Sequence, residues 1–247
     1  MDPSPRTLAC FKRMSALCLV IAHRGAWGRS VPNAPAANTL EAFEAAIALG
    51  ADMIELDVRR TGDGRLVVFH DARVKAVPIS SLRYEALTVK GARSRPPLLE
   101  DVLALMKDRI ALNLEVKEPR CVEEMIELLR QFGLDRCLLS SFLDAVVLEA
   151  KILEPELRTG LLLTTGVRRG LGARLPASQA DCLCLHRRLA DDGALDRAAT
   201  AGVPCIIWTV NAARALDRYL GHPAVEGVIT DRPALALARR ERLGGRA

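Results

Sequence analysis

Eight short apolar segments, each followed by a stretch with helical spacing, recur along most of the chain. Continuous apolar runs of this kind are typical of parallel strands that helices cover on both faces. The predicted strands are residues 17–22, 53–58, 110–116, 136–140, 158–163, 181–185, 204–210 and 225–230. Eight strand–helix units predict an α/β fold of the (β/α)8 TIM-barrel type, with a doubly wound open sheet as the alternative.

The second predicted strand leads first into a β-hairpin, and its helix follows later. Asp63-Gly64 is a turn signal, and residues 66–69 form a second apolar run that returns from it. The connection is too short for a crossover helix, so the second run is expected to lie antiparallel to the first. The fold prediction is therefore a barrel with a hairpin after its second strand.

Two acidic residues interrupt this otherwise apolar strand. Glu55 and Asp57 are two apart, so the period of a strand places both carboxylates on one face. The hairpin brings His70 level with them. Two carboxylates on an apolar face are costly to bury unless a cation compensates them, although an ordinary surface hairpin with solvated acids would avoid that cost. We favour a metal site.

Further polar residues fall at the ends of predicted strands, which is where barrels of this type build their active sites. They come from five separate segments: His23-Arg24, Glu55 with Asp57, Glu115 with Lys117, Trp208, and Thr230-Asp231-Arg232. Three carboxylates without a soft ligand suit one hard divalent cation, Mg²⁺ or Ca²⁺. Glu55, Asp57 and Glu115 are the predicted metal ligands.

The remaining residues of this set suit the cleavage of a phosphodiester. Arg24 and Lys117 offer the positive charge and the donors that a phosphate needs. Two histidines, His23 and His70, could divide the duties of acid and base, since the unperturbed pKa of histidine is about 6.5. A cation would stabilise the phosphate oxygens while the imidazoles move protons.

Each of these residues also has an ordinary structural interpretation. Glu115 and Lys117 could form an ion pair without a catalytic role, and Trp208 alone is more typical of packing than of substrate binding. His186 also ends a predicted strand, but it lacks an acidic neighbour and is interpreted as structural.

Composition narrows the class of protein. Half of the residues are hydrophobic, and the formal net charge is +5 at pH 7, which is compatible with an anionic small-molecule substrate. Aromatic residues are scarce and no basic run is interleaved with them, so nucleic-acid binding is not expected. No apolar run reaches the length of a membrane span. Cys182 and Cys184 alternate within an apolar run, which indicates buried thiols in a reducing, cytoplasmic compartment.

No linker-like change of composition divides the chain, so residues 14–247 are expected to form a single domain. Met14 offers an alternative start. Residues 1–13 are accordingly expected to form a poorly ordered extension.

A series of motifs gives the sequence a resemblance to one family. In chain order they are His23-Arg24-Gly25, Asn38-Thr39 with Phe43, Glu55-Leu56-Asp57, Thr61 with Asp63-Gly64, His70-Asp71, Glu115-Val116-Lys117, Ser141-Phe142, Trp208-Thr209-Val210-Asn211 and Thr230-Asp231-Arg232-Pro233. Over residues 19–234 the chain resembles the glycerophosphodiester phosphodiesterases. The resemblance implies a barrel that hydrolyses glycerophosphodiesters to glycerol 3-phosphate and an alcohol.

The resemblance also implies roles for particular residues. It implies that the metal ligands are Glu55, Asp57 and Glu115, and that the acid–base catalysts are His23 and His70. It carries phosphate binding to Arg24 and Lys117, and it makes Trp208 similar to an aromatic residue that lines the family's substrate pocket. This assignment agrees with the one made from strand positions.

One departure from the family pattern lies before the first predicted helix. Ala37 stands where the family usually has an acidic residue. We expect this change to affect rate or metal affinity and to leave the reaction class unchanged.

Two other functions are kept as alternatives. One is a lysophospholipase D of the sphingomyelinase D type, and the other is a barrel that binds phosphate esters without catalysis. The pair of histidines and the three carboxylates favour an enzyme, because binding alone needs no proton transfer. The sequence leaves the head group, the oligomeric state and the identity of the cation open.

Overall fold

A closed ring of parallel strands forms the centre of the computed structural model, which describes residues 17–28, 35–87, 95–164 and 167–244. The strands are β1 Leu19–His23, β2 Met53–Arg60, β3 Leu66–Val68, β4 Arg73–Val74, β5 Val77–Pro78, β6 Ala111–Val116, β7 Cys137–Ser141, β8 Arg158–Leu163, β9 Cys182–His186, β10 Cys205–Trp208 and β11 Val225–Thr230. The α-helices are α1 Leu40–Ala48, α2 Leu99–Met106, α3 Val122–Phe132, α4 Asp144–Leu153, α5 Val167–Ser178, α6 Asp192–Thr200, α7 Ala213–Leu220 and α8 Pro233–Gly244. Short 3₁₀ turns lie at Ile79–Ser81, Tyr84–Ala86 and Leu134–Arg136.

The ring closes between its first and second strands. The strands pair in the order β1-β11-β10-β9-β8-β7-β6-β2, and β1 also pairs with β2. All of these pairings are parallel. The predicted (β/α)8 barrel is therefore confirmed, and the open-sheet alternative is wrong.

Strand β3 confirms the predicted hairpin. It lies antiparallel to β2, with Arg60 opposite Leu66 and Val58 opposite Val68. Because this pairing extends the second strand, β2 continues to Arg60, two residues beyond its predicted end.

Alternate residues of each strand face the barrel axis, as the period of a strand requires. On β1, Leu19 and Ile21 belong to the interior apolar cluster, whereas Ala22 packs with residues of the surrounding helices. Strand β6 follows the same rule, since Ala111 is interior and Leu112 belongs to the outer cluster. The middle of the barrel is therefore an apolar core. The inward polar residues of the candidate site lie above it, towards the carboxyl ends of the strands, whereas Arg158 at the amino end of β8 pairs with Glu226.

Several other strand boundaries also differ from those predicted, by one or two residues, as in β1 and β10. Strand β1 begins at Leu19 and includes His23, because His23 still pairs with Glu55 of β2, while Leu17 is 50% exposed. Strand β10 ends at Trp208, although the Val210 amide still donates to the Ile229 carbonyl at 2.9 Å.

Three sequence-based expectations concern the rest of the chain. The predicted extension, residues 1–13, lies outside the described residues. The cysteines in the described part are free thiols, and all except the half-buried Cys18 are buried. Across the described ranges, no helix combines the length and the apolar character that crossing a bilayer requires.

Candidate active site

A cavity of about 210 Å³ lies at the carboxyl ends of the barrel strands. Its polar lining residues are His23, Arg24, Glu55, His70, Asn113, Glu115, Lys117 and Ser140. Its apolar walls are Phe142, Leu162, Trp208 and Ile229. Most of the predicted site residues therefore surround one small volume.

The three predicted metal ligands converge beside this cavity. Each of Glu55, Asp57 and Glu115 offers a carboxylate oxygen, and these oxygens lie within 4.8 Å of one another. All three residues are buried. Strand pairing explains the convergence, because Asp57 on β2 lies opposite Glu115 on β6 and both face inward.

Two cations and an amide surround the Asp57 carboxylate. Lys117 Nζ lies 2.8 Å from Oδ1, and Arg24 Nε lies 3.0 Å from Oδ2. Asn38 Nδ2 also donates to Oδ2, at 2.7 Å. Although burial opposes ionisation, the neighbouring Lys117 and Arg24 lower the pKa of Asp57 below its ordinary value. Lys117 also pairs with Glu115, so its ammonium bridges two of the predicted ligands.

Glu55 is in a different electrostatic situation. Its Oε2 accepts a hydrogen bond from the Arg24 backbone amide at 3.1 Å, whereas its Oε1 is buried without a partner among the described residues. Burial and the charge of Asp57 raise the pKa of Glu55 to about 8. Burial likewise raises the pKa of Glu115, although Lys117 opposes the shift.

These features fit a divalent cation. The donors are all carboxylate oxygens, which hard cations such as Mg²⁺ and Ca²⁺ prefer, and one of them is an orphaned buried oxygen. When all three carboxylates are ionised, they and the two cations Arg24 and Lys117 leave one net negative charge. A divalent ion would change this to one net positive charge, which complements a singly charged phosphodiester.

His23 is held by an acidic residue from the last strand end. Its Nδ1 lies 2.5 Å from Asp231 Oδ1, and its Nε2 lies 3.9 Å from Glu55 Oε2. Asn211 donates to Asp231 Oδ2 at 2.5 Å and accepts from the Asp231 amide at 2.9 Å. Burial lowers the pKa of His23, but the hydrogen bond to Asp231 and the charge of Glu55 outweigh it, so the pKa is raised overall.

His70 reaches the same cavity from the hairpin. The Phe69 amide donates to the Asp57 carbonyl at 2.9 Å, and this bond places the following residue in the cavity lining. His70 is more open than His23, with 45% of its side chain exposed against 17%. Its Nδ1 lies 2.8 Å from Asp71 Oδ1. The two imidazoles thus lie in different environments around one cavity.

The turn after β1 depends on a glycine. Arg24 and Gly25 both have positive φ, at 59° and 86°. A Cβ atom on Gly25 would lie 2.7 Å from the backbone of Ala42 in α1, which is closer than packing allows. This contact brings α1 against the turn that carries His23 and Arg24.

Aromatic residues form one wall of the cavity. The rings of Phe142 and Trp208 meet edge to face, with centroids 5.6 Å apart. Trp208 Nε1 donates to the Cys184 carbonyl at 2.9 Å. The Trp208 ring also meets the His186 ring edge to face, with centroids 5.0 Å apart.

The structure brings together every residue that the sequence singled out: His23 and His70, Arg24, Lys117 and Trp208, and Glu55, Asp57 and Glu115. Their roles remain predictions. Three further residues lie at the site that the sequence did not assign to it: Asn38, Asp231 and Asn113. Thr39 caps α1, whereas the neighbouring Asn38 contacts Asp57. The position of Asp231 directly after the last predicted strand is a sequence signal for a site residue. Asn113 has no such signal beyond its spacing of two from Glu115.

Comparisons with known proteins identify the family of the chain. A family model described as the glycerophosphoryl diester phosphodiesterase family matches residues 23–235. A glycerophosphodiester phosphodiesterase of Caldanaerobacter subterraneus subsp. tengcongensis is 30% identical over 236 residues, which cover 87% of this chain and 94% of that protein. A probable glycerophosphodiester phosphodiesterase 2 of Mycobacterium tuberculosis is 30% identical over 239 residues, covering 88% of each chain.

A solved structure extends the likeness to three dimensions. A phosphodiesterase of Oleispira antarctica, in complex with the product sn-glycerol-3-phosphate, superposes with a TM-score of 0.79 at 25% identity. The alignment covers 92% of this chain and 98% of that one. The chain therefore belongs to the glycerophosphoryl diester phosphodiesterase family, and by that membership it is a phosphodiesterase.

Proposed function

We propose that this enzyme hydrolyses glycerophosphodiesters to glycerol 3-phosphate and an alcohol, with one divalent cation, Mg²⁺ or Ca²⁺, as cofactor. One observation carries the proposal. Three buried carboxylates, two cations and two imidazoles meet at one small cavity of a barrel that belongs to this family. The product complex of the Oleispira antarctica relative supports the choice of substrate.

The cation would be held by Glu55, Asp57 and Glu115. When bound, it would supply positive charge that stabilises the phosphate oxygens as negative charge develops on them. Lys117 and Asn38 keep the Asp57 carboxylate fixed in its position, so this ligand needs little rearrangement.

Arg24 is the proposed phosphate-binding residue, together with Lys117. Arg24 Nε pairs with Asp57, and this contact orients the guanidinium group at the cavity. An arginine fixed in this way presents its terminal amino groups to two phosphate oxygens at once. Lys117, already between Asp57 and Glu115, adds a second positive charge on the side of β6.

The two histidines are the proposed acid and base. Asp231 accepts the Nδ1 proton of His23, so His23 Nε2 is the nitrogen that exchanges protons in the cavity. One imidazole takes the proton of the attacking oxygen as its bond to phosphorus forms. The other gives a proton to the leaving alcohol oxygen as the second phosphorus–oxygen bond breaks.

A substrate panel tests the proposal. Purified enzyme is incubated with glycerophosphocholine, glycerophosphoethanolamine, glycerophosphoglycerol or lysophosphatidylcholine, with Mg²⁺, Ca²⁺ or Mn²⁺ in turn, and glycerol 3-phosphate is measured with a coupled dehydrogenase. We expect turnover of the glycerophosphodiesters, loss of turnover in EDTA, and a fall of about 10²- to 10⁴-fold in kcat for His70→Ala.

The same panel separates the alternatives. Release of choline from lysophosphatidylcholine without hydrolysis of glycerophosphocholine would indicate a lysophospholipase D. Binding of glycerol 3-phosphate without turnover of any substrate would indicate a barrel that binds phosphate esters. Full turnover in EDTA would contradict the metal assignment.

A further inference from the structure

Asn113 is a buried polar residue that lines the cavity but has no role in the proposed acid–base mechanism. It lies on the inward face of β6, two residues before Glu115, and none of its surface is exposed. Its Oδ1 accepts a hydrogen bond from Ser140 Oγ at 2.8 Å. Its Nδ2 has no hydrogen-bond partner among the described residues, although the side chain lines the catalytic cavity.

An unpaired amide in this position has a cost. A buried donor without a partner destabilises a folded protein by about 1–3 kcal/mol, so buried polar groups are nearly always paired. The neighbouring interior residues, Leu138 and Leu162, show that the barrel accepts apolar side chains at this depth. The amide therefore needs a partner that comes from outside the protein.

The chemistry of the amide indicates what that partner is. Ser140 holds one end of the amide, and the other end faces the cavity. If the amide were turned over, a carbonyl oxygen would face the cavity in place of the amino group. A hydroxyl group can pair with either end, because it both donates and accepts, whereas a phosphate oxygen can only accept.

The depth of Asn113 points to the same partner. It precedes Glu115 by two residues on one face, which places it about 6–7 Å deeper along the strand than Glu115. It lies opposite Glu55 of β2, the deepest of the three predicted ligands. Below it the barrel is filled by apolar residues such as Ile21 and Met53, whereas His70 lies towards the open side. A closed end suits the part that all glycerophosphodiesters share, the glycerol, and the open side suits the variable alcohol.

We propose that Asn113 is a substrate-binding residue that hydrogen-bonds a free hydroxyl of the glycerol moiety, with Ser140 as its positioning residue. This inference rests on the proposed function and deepens it, because it assigns the recognition of glycerol to one side chain. Arg24 and Lys117 bind any phosphodiester, whereas Asn113 distinguishes glycerol esters from diesters without hydroxyl groups.

Two substrates test this assignment. Glycerophosphocholine has free glycerol hydroxyls, and bis(p-nitrophenyl) phosphate has none. For Asn113→Ala we expect kcat/KM on glycerophosphocholine to fall about 10- to 100-fold, with a change of less than about threefold on bis(p-nitrophenyl) phosphate. The dissociation constant of sn-glycerol 3-phosphate, measured by calorimetry, should rise to a similar extent.

Ser140→Ala provides a second variant that keeps Asn113. It should show a smaller loss with the same substrate preference, because the amide is present but no longer held. Ser141→Ala is the matched control, since Ser141 is an equally buried neighbour whose hydroxyl donates to the Val116 carbonyl. The ratio of the two kcat/KM values should be unchanged in this control.

Three results would overturn the assignment: equal losses on both substrates for Asn113→Ala, no loss on either, or an unchanged affinity for sn-glycerol 3-phosphate. Failure of the proposed function would look different. In that case the unaltered enzyme would not hydrolyse glycerophosphocholine at all, and calorimetry with sn-glycerol 3-phosphate would still test Asn113.

Discussion

At the scale of single residues, side chains with the same functional group acquire different properties from their surroundings. Glu55 and Asp57 are two apart on one strand, yet the pKa of Glu55 is raised and that of Asp57 is lowered. The difference arises because Lys117, Arg24 and Asn38 contact Asp57, whereas one oxygen of Glu55 has no partner among the described residues. The two histidines also differ in exposure, since the His23 side chain is mostly buried and the His70 side chain is more open.

The Asp231 carboxylate gives the first residue-scale prediction. Asp231→Asn keeps the shape of the side chain but replaces the charged acceptor whose hydrogen bond raises the pKa of His23. Burial then dominates, so the pKa of His23 should fall. We expect kcat to fall about 10- to 100-fold, and the limb of the pH–rate profile that belongs to His23 to move to lower pH.

The measurement is a pH–rate profile of the variant beside that of the unaltered enzyme. Asp71→Asn is the matched control, because Asp71 contacts the exposed His70 and not His23. If Asp231→Asn lowered kcat without moving either limb, Asp231 would have a structural role alone.

At the scale of elements, the inward face of β6 changes character along its length. Its inward residues are Ala111, Asn113 and Glu115, followed by Lys117 just beyond the strand, so the face runs from apolar through amide to charged. The β2–β3 hairpin acts in a comparable way, since its ladder carries His70 into the cavity. Strand geometry thus determines which side chains can meet.

The turn between β1 and α1 gives a prediction at this scale. Gly25 and Gly28 both have positive φ, but only a Cβ on Gly25 would meet the backbone of Ala42, while one on Gly28 would find nothing within 4 Å. Gly28→Ala should lower the free energy of unfolding by about 1 kcal/mol, from backbone strain alone. Gly25→Ala should cost more and should also lower activity, because it displaces Arg24.

Urea denaturation and kcat/KM measure the two effects. The comparison is informative because both variants introduce the same methyl group into the same turn region. Equal stabilities and equal activities for the two variants would contradict the close approach of α1.

At the scale of the whole molecule, the charge of the site couples cation binding to stability and pH. The Glu55 carboxyl, with a pKa of about 8 in the folded protein and an ordinary value of 4.5, keeps its proton over a range in which the unfolded chain has lost it. The stability of the metal-free protein should therefore fall as the pH rises from 4.5 to about 8. A cation that binds the ionised carboxylates should reverse this loss.

The corresponding prediction concerns Ca²⁺ binding. Below about pH 8 the cation must displace the proton of Glu55, so its apparent affinity should rise by up to about tenfold per pH unit. The increase in melting temperature on addition of Ca²⁺ should be larger at about pH 8 than at about pH 6.

Calorimetry in two buffers of different ionisation enthalpy measures both the affinity and the proton released. Glu55→Gln should bind Ca²⁺ more weakly and with a flatter pH dependence, whereas Glu44→Gln, a change in an exposed ion pair with Arg109, should behave as the unaltered protein does. A pH-independent affinity in the unaltered protein would contradict the assigned role of Glu55.

The order of strands and helices, the hairpin and the identity of most site residues could be read from the sequence, because they depend on local periodicity. Apolar runs and helical spacing predict each unit, and the spacing of Glu55 from Asp57 and of Glu115 from Lys117 predicts a shared face in any strand. Eight such units have few ways to bury their apolar faces, and a barrel is one of them. These conclusions needed no contact between distant residues.

The contacts that distinguish the site residues depend on tertiary structure, because they join parts of the chain that are far apart in sequence. His23 meets Asp231 across 208 positions, and Asn38 meets Asp57 across 19. The tertiary structure alone shows that Ser140 pairs with Asn113 Oδ1 and that Asn113 Nδ2 has no hydrogen-bond partner among the described residues. Closure of the barrel decides these pairings, since it brings the first and last strands side by side and sets the depth of every inward residue.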